Sequence, residues 1–73
     1  LAKLPVLSGK EVCAILERQG FTEIRRRGSH IVMQKELSEG TITVPVPDHD
    51  EIRAGTLLAI IRQSGIQRNQ FQS

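Results

Sequence analysis

Only Gly28-Ser29 separates two short segments of extended character, residues 23–27 and 30–35. A two-residue connection folds such segments back as an antiparallel hairpin, and glycine supplies the positive φ that the tight turn needs. The turn sets the register: Arg27 faces His30, Arg25 faces Val32 and Ile24 faces Met33. Side chains alternate between the two faces of a strand. One face then carries Ile24, Ile31 and Met33 and is a core face; the other carries Arg25, Arg27, His30 and Val32. A slip of one residue would bury the arginines, so turn and pattern support the same pairing.

The rest of the chain supplies partners for that hairpin. Its 73 residues support one domain, spanning residues 1–73. A domain of this size buries only about 60% of its unfolded surface, which leaves chemistry to a surface or a shallow groove. Ser8, Gly9, Lys10 and Glu11 read as a capping box, with Leu7 and Val12 as a hydrophobic staple. Val12, Ile15 and Leu16 form a helical stripe and Gly20 a stop, which predicts a helix over residues 9–19 with Phe21 turning inward. After a loop at 38–40, residues 41–44 read as a third strand with Thr41 and Thr43 out and Ile42 and Val44 in. Pro45 and Pro47 are expected to end it.

The last helix is expected over residues 54–63, apolar at Leu57, Leu58, Ile60 and Ile61. Thr56 reads as its N-cap, Gly65 as its stop and Ile66 as the apolar contact beyond. The tail is polar apart from Phe71, which adds a short turn. The order is α-β-β-β-α. This is an α+β chain: a three-stranded antiparallel sheet with two helices on one face and the other face open to solvent.

The net charge of +2 is unevenly placed. Residues 1–35 hold Lys3, Lys10, Arg18, Arg25, Arg26, Arg27 and Lys35 against three glutamates. Residues 36–73 hold three arginines against Glu36, Glu39, Asp48, Asp50 and Glu51. Such asymmetry points to an anionic partner for the first half, nucleic acid foremost. Phe21 and Phe71 are the only aromatics, which argues against base stacking as the mode of single-strand binding. The single cysteine, Cys13, excludes an intrachain disulfide and a multi-cysteine zinc site; it reads as a small apolar residue in a reducing compartment. No apolar run nears the roughly 20 residues that span a bilayer and no signal pattern opens the chain, so a cytoplasmic protein without membrane attachment or small-molecule cofactor is expected.

His30 is the sharpest candidate for chemistry. On the open face beside Arg27 and Arg25, a neutral imidazole can accept a proton from a ribose 2′-OH while the guanidinium groups hold the phosphate. Arg26 points the other way and must snorkel past the core edge. The run Asp48-His49-Asp50-Glu51 reads as an acidic loop, since consecutive residues do not readily converge on one ion. No metal site is expected.

Several segments taken in order carry a family resemblance. They are Leu4-Pro5-Val6-Leu7-Ser8-Gly9-Lys10-Glu11-Val12, Gly20-Phe21, Arg27-Gly28-Ser29-His30, Thr43-Val44-Pro45, and the stretch 55–66 with its Gly55-Thr56-Leu57-Leu58 opening and Ser64-Gly65-Ile66 close. Together they resemble the HicA family of toxins, the mRNA interferases of HicAB toxin–antitoxin pairs. The resemblance implies a fold like that of double-stranded-RNA-binding domains, metal-independent cleavage of mRNA, and inhibition by a HicB-type antitoxin. The family's catalytic histidine lies in its Gly-Ser-His motif and maps onto His30, behind Gly28 and Ser29. His49 also stands where family members often carry histidine, with no role assigned.

The expected mechanism is attack of a 2′-OH on its own phosphodiester. His30 acts as general base or acid, and Arg25 and Arg27, with Lys10 and Lys35, lie on the phosphate. The alternative is a non-catalytic RNA-binding module of the double-stranded-RNA-binding type, which reads shape and phosphates through helix ends and loops. Clustering of basic residues on the hairpin favours a site on the sheet.

Overall fold

A computed structural model describes residues 4–72; Lys3, counted in the basic half, lies outside them. The elements are α1 (Gly9–Arg18), β1 (Thr22–Arg27), β2 (His30–Leu37), β3 (Gly40–Pro47), α2 (Ala54–Ser64) and a 3₁₀ turn, η1 (Arg68–Phe71). The strands form one antiparallel sheet in the order β1-β2-β3. Val12 and Leu16 from α1 and Leu57 and Ile60 from α2 meet Ile31, Met33, Val44 and Val46 on one face of it. The expected α-β-β-β-α architecture is the one found.

Local chemistry accounts for both ends of α1. The Ser8 hydroxyl accepts from Glu11 N at 3.1 Å, and the Glu11 carboxylate accepts from Ser8 N at 2.9 Å. At the other end Phe21 N donates to Leu16 O and Gly20 N to Glu17 O, with Gly20 at φ 96°. This pair of bonds is a Schellman motif, and its usual apolar contact is present because Leu16 and Phe21 are both in the core.

That motif explains the first departure from the expected register. Ile24 was expected opposite Met33, but a β-bulge between Glu23 and Arg25 puts Glu23 there instead. Ile24 is left unpaired and 41% exposed. Counted back from the hairpin turn without a bulge, Phe21 would fall on the same face as Arg25 and Arg27. One extra residue resets the alternation and sends Phe21 into the core, where it is 2% exposed. A buried Phe outweighs a half-buried Ile on an edge strand.

The third strand also runs further than expected, through Pro45 to Pro47. β3 is an edge strand with β2 on one side only. Asp48 N donates to Ser29 O at 2.7 Å, so the even-numbered amides around it face β2. The proline nitrogens at 45 and 47 therefore fall on the outer edge, where no ladder donor is missed. In α2 the N-cap is Arg53, without a side-chain cap, and Thr56 lies inside the first turn. Leu57 N already donates to Arg53 O at 2.9 Å, so the cap stands three residues before the expected one.

Gly65, at φ 71°, ends α2 as expected. Phe71 does more than add a turn: at 2% exposure it closes the core from η1. Cys13 is buried among the same side chains. Burial pushes its thiol up to about 11, helped by the carboxylates of Glu23, Glu17 and Asp48, so it is unreactive near neutral pH.

Candidate functional site

The face of the sheet away from the helices is built of three cross-strand rungs. Arg27, His30 and Pro47 form the first; Arg25, Val32 and Pro45 the second; Thr22, Gln34 and Thr43 the third. A shallow groove of about 340 Å³ lies across them, lined by Arg25, Arg27, His30, Val32, Thr43 and Pro45. All of these are exposed except Val32, which at 6% forms the floor. Val32 belongs to this face alone and takes no part in the core beneath the helices.

Alternation along β1 divides the three consecutive arginines. Arg25 and Arg27 face the groove and form no ion pair among the described residues. Arg26 turns to the other side, as expected for a residue at the core edge. Its Nη1 donates to Asp48 at 3.0 Å and its Nε to Glu23 at 3.3 Å. The Asp48 bond, with Glu23 beside it, raises the Arg26 guanidinium further above its ordinary value. The groove is thus left with two uncompensated cations and no carboxylate in its lining.

The same Asp48 braces the turn that carries His30. Its backbone N–H bonds to Ser29 O, and its side chain bonds to Arg26. Sequence reasoning placed Asp48 in an acidic loop and missed this role. The available signal was Arg26 itself, a cation forced toward the core side and in want of a carboxylate. Thr43 was expected to face outward but not to join the site, and Pro45 was missed because the strand was ended before it.

Of the residues expected at the site, His30, Arg25 and Arg27 come together, and Gly28 and Ser29 form the turn at their edge, Gly28 with φ 57°. Lys35 does not join them. It has the parity of Ile31 and Met33 on β2, and it lines a separate cavity of about 440 Å³ with Gln19, Ser64 and Ile66. Lys10 is exposed in the first turn of α1, outside the groove lining. His49 lines another cavity with Glu51, Arg53 and Thr56. Among the described residues no group of three His, Cys, Asp or Glu side chains is placed to hold a metal ion.

The family model described as the HicA toxin of bacterial toxin-antitoxin matches residues 9–66, from the first residue of α1 to just past α2. The chain belongs to the HicA toxin family. No curated protein matches it in sequence. As a HicA toxin it is one half of a toxin–antitoxin system, and the family's members are in general mRNA interferases with an antitoxin partner and an RNA target. The whole groove of this HicA toxin falls within the matched span. No helix among the described residues is long and apolar enough to cross a membrane.

Proposed function

We propose that this HicA toxin is a metal-independent endoribonuclease that cleaves mRNA in the cytoplasm, with His30 as its catalytic residue. The observation that carries this reading is the convergence of His30, Arg25 and Arg27 on one shallow, solvent-open groove without a carboxylate. The imidazole takes the proton from a ribose 2′-OH as its oxygen attacks the adjacent phosphorus. Arg25 and Arg27 hold the non-bridging oxygens and stabilise the charge that builds on them. The 5′-oxygen leaves and is protonated by water, to which the groove is open, and a 2′,3′-cyclic phosphate remains.

Two results are expected from this chemistry. Cleavage persists in excess EDTA, and the 3′ ends of the fragments carry a cyclic phosphate. Loss of cleavage in chelator, restored by magnesium or manganese, would overturn the mechanism and return Asp48, Asp50 and Glu51 to consideration as ligands.

A ribonuclease with an open site needs its inhibition from outside the chain. A HicB-type antitoxin is therefore proposed to cover His30. Amide hydrogen exchange across residues 25–33 should slow when antitoxin binds. An antitoxin that blocks cleavage yet leaves that exchange unchanged would rule out occlusion of this face.

A further inference from the structure

The three rungs differ in chemistry, and their order along β2 carries information. The first holds His30 and a cation; the second holds a cation beside the apolar pair Val32 and Pro45; the third, Thr22, Gln34 and Thr43, is polar and uncharged. We infer that this face carries a nucleobase subsite beside the scissile phosphate, with Val32 and Pro45 as its floor and the Gln34–Thr43 pair reading the base edge, resting on the ribonuclease reading for where the phosphate lies.

Spacing supports a single-stranded occupant. Rungs on one face are two residues apart, about 6.8 Å along an antiparallel strand. Stacked bases lie only about 3.4 Å apart, so bases seated on successive rungs are unstacked from one another. The groove, at about 340 Å³, stands at the low end for a ligand site and suits one nucleotide of a longer polymer.

Composition supports a base in the second and third rungs. Val32 is a buried apolar side chain in a groove whose other lining residues are exposed, with Pro45 directly across from it and Arg25 alongside. A nucleobase offers the matching surface, an apolar face next to an anionic backbone. No aromatic side chain is needed for a single base seated in this way. Gln34 Nε2 donates to Thr43 Oγ1 at 3.1 Å, which leaves the Thr43 hydroxyl proton to be given to a ligand. An uncharged donor at the rim can discriminate among base edges without adding a counter-charge for the phosphate.

The test uses the 73-residue chain carrying His30→Ala, so that RNA survives the titration. Four homopolymeric hexaribonucleotides and an abasic hexamer of the same charge are titrated, while affinity and the methyl resonances of Val32 and Thr43 are followed. At least one base-bearing hexamer should bind about fivefold or more tighter than the abasic one, on the order of one net hydrogen bond. The Val32 methyls should shift with it. Adding Thr43→Val, which keeps a β-branched residue in the strand, should flatten the ranking among the four bases; Thr43→Ser should restore it.

Equal binding of abasic and base-bearing hexamers, unmoved Val32 methyls, or a ranking that survives Thr43→Val would each overturn the subsite. Cleavage is not part of this readout. If the parent chain, with His30 intact, never cuts RNA while the variant ranks bases through Thr43, the ribonuclease reading fails and the subsite stands.

Discussion

His30→Ala is expected to lower RNA cleavage by about 10²–10⁴, the usual cost of losing a general acid–base group. Growth inhibition on expression should vanish with it. The side chain is exposed at the first position of β2, so stability should change by no more than about 0.5 kcal/mol. RNA affinity should stay close to that of the parent chain, because the arginines proposed to hold the phosphate are untouched.

The double variant Arg25→Ala with Arg27→Ala supplies the contrast. It should weaken binding and lower the salt dependence by about 0.7 log unit per lost phosphate contact on single strands. Cleavage should fall as well, since the same groups are proposed to stabilise charge in the transition state. Intact fold and binding with no cutting is the signature expected of His30→Ala alone. Should that variant cut RNA as fast as its parent, the catalytic assignment fails and a non-catalytic RNA-binding module becomes the better reading.

Gly9→Ala is expected to destabilise the fold, against the sign that helix propensity assigns to it. Gly to Ala inside a helix is ordinarily favourable by about 0.8–1 kcal/mol. At Gly9 a Cβ would overlap the Pro47 carbonyl oxygen and come within 3.0 Å of Asp48 Cα, and both obstacles are backbone atoms that cannot rotate away. Gly9 N also donates to His49 O at 2.9 Å, so α1 cannot lift off without breaking that bond. Overpacking of this kind typically costs about 1–3 kcal/mol, a large share of the roughly 5–15 kcal/mol that holds a small domain together.

Gly55→Ala is the internal control. Gly55 is also helical, but nothing lies within 4 Å of its Cβ position. It should stabilise by up to about 1 kcal/mol. Urea denaturation of the two variants should therefore move in opposite directions. If both stabilise, α1 does not seat on the Pro47–Asp48 backbone. Displacement of that backbone should also reach the site, because Asp48 N holds Ser29 O in the turn before His30. A fall in cleavage by Gly9→Ala at temperatures where it remains folded would register that link.

Much of this was legible in the sequence because it depends on groups a few residues apart. The capping box joins Ser8 to Glu11, the Schellman turn joins Leu16 to Phe21, and the hairpin is set by Gly28 and Ser29. From that register alone Arg25, Arg27 and His30 share a face. Strand parity alone conflicts with the grouping of Lys35 among the phosphate ligands, because residue 35 shares the face of Ile31 and Met33.

The remaining decisions belong to the tertiary structure, because each is a competition between distant groups. Phe21 and Ile24 cannot both face the core in one unbroken ladder, and only the packing of α1 on the sheet settles for Phe21 through a bulge. Prolines 45 and 47 extend β3 because nothing pairs with its outer edge, a fact about strand order that no local pattern states. Arg26 and Asp48 are 22 residues apart, and their pairing removes a carboxylate from the approach to the groove while bracing its turn. The sequence by itself determined which side chains could act; the contacts of α1 and the β3–α2 loop decided how they are held, since those energies exist only once the chain has closed on itself.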